Sequence, residues 1–287
     1  MSIFHNILAF AYPFLRVKNK LFKKSGQGRL RVLLYHDVRP DDIDVFAKQI
    51  KWLSKRWHFI TPQQFELYLE DDSLVTKDSL LLTFDDGFYS NKVVVEQVLS
   101  PLNIKAIFFV VSKFVDLLDK KEAYTFVAEN IHPGERLDEV LPHQFNMNWS
   151  DLEYLCRSGQ TIGGHTSTHA RLSEVEGTTK IKDQVVESAN VIEERLGITI
   201  RHFAYTFGDL ASFSPNALAV ASKRFGFVYS GLRGLNTTKA GPFAIRRDSV
   251  TPRNSVLLVG ALLEGGVDFL YRRSVGLLDD WVKADSN

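Results

Sequence analysis

Short apolar runs alternate along the chain with longer segments in which apolar residues recur every three or four positions. The short runs predict β-strands and the periodic segments predict helices. From residue 31 onward the two kinds of segment follow one another, which is typical of a mostly parallel sheet covered by helices. The predicted strands span residues 31–35, 58–60, 80–84, 105–111, 161–163, 201–205, 227–229 and 244–250. This number of strands favours an α/β barrel over a small open sheet.

The helical segments between these strands carry recognisable apolar faces and end signals. One face is marked by Ile43, Phe46, Ile50 and Leu53, and another by Val185, Ala189, Ile192 and Leu196. Ser214 before Pro215 predicts a helix start, and Gly197 predicts a helix stop.

Residues 113–148 interrupt the alternation with prolines, a Pro133-Gly134 pair and mixed charges, so we expect an insertion or lid there. The predicted organisation is a terminal apolar and basic segment (1–30), a barrel (31–252) and a C-terminal helical segment (253–287).

The N-terminal segment is apolar from Ile3 to Leu15 and is followed by cations, namely Arg16, Lys18, Lys20, Lys23 and Lys24. It is too short to span a bilayer, and its charges follow the apolar stretch, so we expect no cleaved signal peptide. Two interpretations stay open: a helix packed on the domain, or an amphipathic segment (3–24) in peripheral contact with the membrane. The expected location is cytoplasmic, with the inner face of the membrane as the alternative.

Overall charge gives little information about partners. The 287 residues include 35 Lys or Arg and 34 Asp or Glu, so the net charge of +1 predicts no general attraction to nucleic acid. The single cysteine, Cys156, excludes an internal disulfide and lies in an apolar helical pattern, which favours a buried, inert thiol.

Two adjacent carboxylates, Asp85 and Asp86, follow the apolar run 80–84 and precede Gly87. Alone, they could be acids in a turn that cap a helix. Two histidines, His165 and His169, follow another predicted strand, and on a helical turn such a pair would share one face and could bind one metal ion. Alone, they could be surface or satisfied buried histidines.

Together these residues are more informative, because both groups fall at the C-terminal ends of predicted strands, where α/β barrels place catalytic groups. His36 and residues 205–208 fall in the same layer by the same reasoning. The chain contains no His-Glu-x-x-His segment, which excludes a zincin-type protease.

Several segments resemble the polysaccharide deacetylases, also called the NodB-homology or carbohydrate esterase family 4 domains. Thr-Phe-Asp-Asp-Gly (83–87) resembles the first family motif and His-Thr-Ser-Thr-His (165–169) the second. Further similarity lies in the opening strand (33–36), the helix before the second motif (149–153) and the third motif (203–208). The resemblance covers about residues 31 to 250.

The resemblance implies a distorted (β/α) barrel of about seven parallel strands that hydrolyses the linear amide of an N-acetylated amino sugar. It implies one divalent transition metal ion, with zinc the expected one, held by Asp86, His165 and His169. Asp85 would be the general base toward a metal-activated water. The partner would be an N-acetylated surface or envelope glycan or its precursor.

The chain also departs from the family pattern. Many members take the catalytic acid from a C-terminal Leu-x-His motif, but no histidine follows His202 here, so His36 is the expected substitute. The arginine of the usual third motif is absent, and Arg247, with Arg246 as the neighbouring alternative, is expected to hold the base instead. The third-motif positions Tyr205, Phe207 and Gly208 are the expected substrate contacts.

Two other functions stay open from the sequence. A similar barrel could hydrolyse a small cyclic amide or ureide. The missing C-terminal histidine and displaced arginine would also suit a non-catalytic member that binds glycan and metal without turnover.

Overall fold

The structure, a computed structural model, describes residues 3–22 and 26–285, in which helices and strands alternate. The strands are β1 (Leu30–Tyr35), β2 (His58–Phe59), β3 (Ser79–Phe84), β4 (Ala106–Val110), β5 (Thr161–Gly164), β6 (His202–Ala204), β7 (Phe227–Tyr229) and β8 (Asp248–Ser249). The α-helices are α1 (Ile3–Phe22), α2 (Ile43–Ser54), α3 (Pro62–Glu70), α4 (Tyr89–Val94), α5 (Ser112–Val115), α6 (Lys120–Phe126), α7 (Trp149–Arg157), α8 (Thr178–Lys182), α9 (Ser188–Leu196), α10 (Pro215–Arg224), α11 (Val256–Leu263) and α12 (Arg272–Asp285).

The strands form one parallel sheet in the order β7-β6-β5-β4-β3-β1-β8, with β2 paired to the start of β3. The segment of residues 245–249, which ends in β8, forms hydrogen-bonded pairs with both β7 and β1. Ile245 pairs with Tyr229 of β7, and two residues of β8 pair with β1. The predicted barrel-type α/β fold of seven parallel strands is therefore confirmed.

The central strands β1, β3 and β4 are buried at every position. This burial explains why they read as continuous apolar runs rather than as alternating patterns, because side chains on both faces of a parallel sheet are covered. Parallel strands place their C-terminal ends at one edge, and the polar residues that follow them meet there.

The predicted helix signals also correspond to real helix ends. The Ser214 side chain accepts a hydrogen bond from the Ala217 N–H, and Pro215 is the first residue of α10. Gly197 ends α9 in the left-handed conformation (φ 65°), which glycine adopts without steric cost.

The predicted insertion, residues 113–148, contains short helices rather than a strand. α6 continues into a π-helical turn, Val127–Ile131, and both pack in a small apolar cluster of their own. This cluster is composed of Phe88, Val111, Phe114, Ala123, Val127 and Ile131. The segment borders the polar end of the sheet.

The terminal helices pack on the barrel. Leu8, Ala9 and Tyr12 of α1 are buried in the main core, which also contains residues of α11. The main core therefore includes residues from the predicted terminal segments, and the domain boundaries at residues 30 and 252 stay predictions. Among the described residues, no helix is both long enough and apolar enough to cross a bilayer. Lys23 and Lys24 of the predicted basic segment lie outside the described residues.

Candidate active site

A cavity of about 250 Å³ opens at the C-terminal ends of the strands, and most of the predicted site residues line it. The predicted residues around it are His36, Asp85, Asp86, His165, His169, Phe207, Gly208 and Arg247. They come from segments widely separated in sequence, and the parallel sheet brings them to one place.

Asp86, His165 and His169 form the only group among the described residues whose ligand atoms are arranged to hold a metal ion. These atoms lie within 4.8 Å of one another, and all three residues are buried. Asp86 Oδ1 is 3.4 Å from His165 Nε2 and 3.4 Å from His169 Nε2. One carboxylate and two imidazoles are a ligand set used by catalytic zinc sites.

The hydrogen bonds of the two imidazoles test whether this group fits a cation. His165 Nδ1 is 2.6 Å from the Ala204 carbonyl and His169 Nδ1 is 2.8 Å from the Asn130 carbonyl. A carbonyl only accepts, so each Nδ1 carries the proton and each Nε2 presents a lone pair toward Asp86. Asp86 Oδ1 is buried and has no hydrogen-bond partner. Three lone-pair donors thus face one point, which fits a bound cation.

The electrostatics of the site agree with this fit. Burial alone would raise the pKa of Asp86, but without a metal ion the imidazoles of His165 and His169, when protonated, donate to the carboxylate and hold its pKa well below the usual value. Burial would lower the pKa of His165, yet the nearby carboxylates, Asp85 first, outweigh it and raise that pKa. The site therefore favours positive charge, and a metal ion would compete with protons for it.

The backbone at the site is in uncommon conformations. Five non-glycine residues among those described have positive φ, and four of them lie here: Asp86 (78°), Thr166 (64°), His169 (60°) and Phe207 (61°). Such values are sparsely populated by side-chain-bearing residues and cluster at functional sites. The prediction that residues 165–169 form a helical turn is wrong, because this segment is an irregular loop in which positive φ values turn both imidazoles inward.

Glycines before the second motif have a steric explanation. A Cβ added at Gly163 would lie 2.5 Å from the Phe109 ring and 3.0 Å from the His202 carbonyl. The bare backbone lets β5 approach its neighbours closely and carry His165 into the cavity.

Asp85 and Arg247 form a buried, bidentate ion pair. Arg247 Nη1 donates to Asp85 Oδ1 (2.6 Å) and Nη2 donates to Oδ2 (2.8 Å). Arg247 Nε donates to the Ser230 carbonyl (2.7 Å), which fixes the guanidinium. Arg246, on the other face of the chain, instead pairs with Asp279. Of the two predicted arginines, Arg247 is the one that contacts the carboxylate beside the ligand group.

His36, the predicted acid, directly follows β1. It is exposed to solvent and lines the cavity. Its backbone carbonyl accepts a hydrogen bond from Asn91 Nδ2 (2.8 Å). This bond anchors the main chain while the ring stays open to solvent.

The three predicted substrate contacts differ in position. Phe207 is 36% exposed at the cavity, with its ring centroid 4.7 Å from that of His169 and the Arg171 guanidinium 4.3 Å from its own centroid. Gly208 lines the cavity beside it. Tyr205 is buried and stacks on Phe213 at 4.1 Å, so the predicted substrate contact of its side chain is not supported. It packs in the core beneath the cavity.

The comparison with protein families matches residues 73–229 to the polysaccharide deacetylase model, which is more than half of the chain. The chain belongs to the polysaccharide deacetylase family. The resemblance expected from the motifs is therefore confirmed.

Individual relatives of this family are distant. The chain is 21% identical over 251 residues to the Bacillus subtilis (strain 168) protein YxkH, covering 84% of this chain and 78% of the relative. It is similar to IcaB from Ammonifex degensii, with a TM-score of 0.62, 25% identity and coverage of 83% and 98% of the two chains. The Streptococcus pyogenes deacetylase PplD, in complex with acetate, has the same fold (TM-score 0.64, 16% identity, 81% and 97% covered).

The cavity also contains an ionisable side chain, that of His132, which was not predicted from the sequence. His132 lines the cavity from the insertion, and its ring stacks on Phe88 with centroids 6.4 Å apart. Its only sequence signal was a position beside the Pro133-Gly134 turn in a segment already suspected of being functional. The insertion also supplies Asn130, whose carbonyl orients His169.

Proposed function

We propose that the chain is a metal-dependent N-deacetylase that cleaves the linear amide of an N-acetylated amino sugar in a glycan or glycan precursor. The observation that carries the proposal is the pairing of two neighbouring carboxylates with different partners. Asp86 faces two imidazole lone pairs, whereas Asp85 is bound by Arg247. One is arranged to hold a cation and the other to act as a base.

A divalent ion held by Asp86, His165 and His169 would supply an activated water molecule and polarise the acetyl carbonyl. Zinc is the proposed ion, since one carboxylate and two imidazoles suit it. The fixed tautomers of the two histidines, set by backbone carbonyls, prepare the ligand atoms before any ion arrives.

Asp85 is proposed to accept the proton from the attacking water. Its Oδ2 lies 3.8 Å from His165 Nε2, so the carboxylate borders the ligand group without belonging to it. The Arg247 fork holds both oxygens in one plane and balances their charge, but each oxygen keeps a further lone pair for a proton.

His36 is proposed to donate a proton to the departing amine. The histidine is exposed at the cavity, so it can exchange protons with solvent between turnovers. His132 is the second imidazole at the cavity and the alternative donor.

The cavity suits an acetamido group better than a whole sugar chain. Its volume of about 250 Å³ is below the range typical of drug-sized ligands, so the sugar rings would lie across the mouth. Phe207, partly exposed there, could stack on the apolar face of a ring.

The proposal is tested by acetate release from poly-N-acetylglucosamine and chitin oligomers, with the metal content of each protein measured in parallel. Asp85→Asn should retain the metal and lose about 1,000-fold or more in turnover, because the base contribution is typically of that order. Asp42→Asn is the matched control, since Asp42 also pairs with an arginine but lies away from the cavity.

Equal turnover in Asp85→Asn and wild type would remove Asp85 from the mechanism. Metal binding with no acetate release from any N-acetylated glycan would favour the non-catalytic alternative. Hydrolysis of a cyclic ureide without acetate release would favour the second enzymatic one.

A further inference from the structure

Helix α1 has a continuous apolar stripe that no part of the described chain covers. Its members recur every three or four residues and are all more than half exposed: Ile3, Ile7, Phe10, Phe14, Val17 and Leu21. Phe10 is 81% exposed and Phe14 74%. Singly exposed apolar residues are ordinary, but a stripe of this length marks an interaction site.

The stripe is presented on a firmly held helix. The opposite face of α1 is buried against α11, and the Tyr12 ring packs 5.5 Å from that of Trp52. Nearer the C-terminal end of α1, Asn19 Nδ2 donates to the Glu264 carboxylate (2.7 Å) and to its backbone carbonyl (2.9 Å). Only one face of the helix is therefore used by the fold, and the apolar stripe points away from it.

The charged side chains on α1 itself are all basic. The helix contains Arg16, Lys18 and Lys20 and no Asp or Glu. At about 100° per residue, Lys18 lies about 60° to one side of the centre of the stripe and Lys20 about 100° to the other. Both lysines are exposed. Long lysine side chains beside an apolar face can extend to anionic head groups.

We propose that this face of α1 docks on an anionic lipid surface, with the helix lying in the plane of the interface. Phe, Ile, Val and Leu side chains would enter the acyl boundary, and Lys18 and Lys20 would contact the head groups. A second copy of the chain is the less favoured occupant. α1 carries no acidic residue, so two paired copies would place cations beside cations with no complementary charge.

Docking in this way leaves the catalytic cavity free. Glu264, which binds Asn19, also binds Arg29 immediately before β1. The C-terminal half of α1 is thus held at the N-terminal ends of the strands, whereas the cavity is at their C-terminal ends. No residue of the stripe lines the cavity, so the proposal is independent of the deacetylase activity.

The test is sedimentation of the full chain with vesicles of phosphatidylcholine, with or without an equal amount of phosphatidylglycerol. Wild type should bind the anionic vesicles and bind the neutral ones much more weakly. Phe10→Gln/Phe14→Gln should weaken binding about 100-fold, at about ten-fold per large apolar side chain withdrawn from the interface. Lys18→Gln/Lys20→Gln should weaken it about thirty-fold at low salt, with a smaller salt dependence.

Leu67→Gln/Leu118→Gln is the matched control, because it replaces two exposed apolar side chains elsewhere and should bind like wild type. Circular dichroism and metal content establish that each variant is folded. Absence of wild-type binding to anionic vesicles, or equal binding by the Phe10/Phe14 variant, would overturn the proposal. A wild-type dimer that becomes monomeric in that variant would assign the face to a second copy instead.

Discussion

Replacing Arg247 with Met should destabilise the protein strongly, and replacing Asp85 as well should add little further loss. Arg247 is fully buried and donates two hydrogen bonds to Asp85, one to the Ser230 carbonyl and a longer one to the Thr83 hydroxyl. Asp85 is itself only 2% exposed. Arg247→Met therefore leaves a buried carboxylate without its countercharge.

The magnitudes follow from the burial of both partners. Breaking a buried pair from one side costs about 3–5 kcal/mol of unfolding free energy. Asp85→Asn leaves the guanidinium uncompensated but keeps one acceptor, so we expect a loss of about 3 kcal/mol. The double variant carries neither charge and should lose about 4 kcal/mol, which gives a coupling energy of about 3 kcal/mol.

Urea unfolding followed by tryptophan fluorescence measures the cycle. A chelator should be present, because metal binding to the folded state would add to its stability. Arg246→Met is the control, since its partner Asp279 is partly exposed and the expected loss is about 1 kcal/mol. If the Asp85 and Arg247 losses add to within about 0.5 kcal/mol, the pair does not behave as the structure implies.

Further predictions concern histidines around the site and in the core. His36→Gln should lower turnover about 100-fold and His132→Gln less than ten-fold; the reverse order would make His132 the acid. His143 Nε2 lies 2.8 Å from Asp37, so His143→Gln should release the insertion, raise KM several-fold and increase its proteolysis, and unchanged kinetics would refute this. Burial lowers the pKa of His202, so its stabilising effect is complete above the unfolded value of about 6.5 and is lost as the pH falls below it. Between pH 7 and 5, wild type should therefore lose more unfolding free energy than His202→Gln, and parallel losses would contradict the burial argument.

The sequence was sufficient for the sheet because its central strands β1, β3 and β4 are buried and mostly apolar. Each of the eight predicted strands corresponds to an observed one, although the predicted segment 244–250 contains a strand only at Asp248–Ser249. Residues 245 and 248–249 bond to different neighbours, β7 and β1. A sequence pattern shows that a segment is extended but not that it changes partner along its length.

For the candidate site, the sequence located the residues that directly follow strands but not those whose position depends on loop packing. Residues that directly follow strands, such as Asp86 and His165, were located because parallel strands share one C-terminal edge. The loop conformation at His169 was predicted wrongly, since its positive φ depends on tertiary contacts such as the Asn130 carbonyl. His132 was missed for the same reason, because it reaches the cavity only through the packing of the insertion.

The central claim is that this family member hydrolyses N-acetyl groups with a single ion bound by Asp86, His165 and His169. The most direct measurement is acetate release by chelated protein titrated with zinc, with bound zinc counted at each point. We expect activity to be absent without metal, to rise in proportion to bound zinc, and to saturate at one ion per chain. Full activity in the metal-free protein, or His169→Gln with unchanged zinc binding and turnover, would contradict the account.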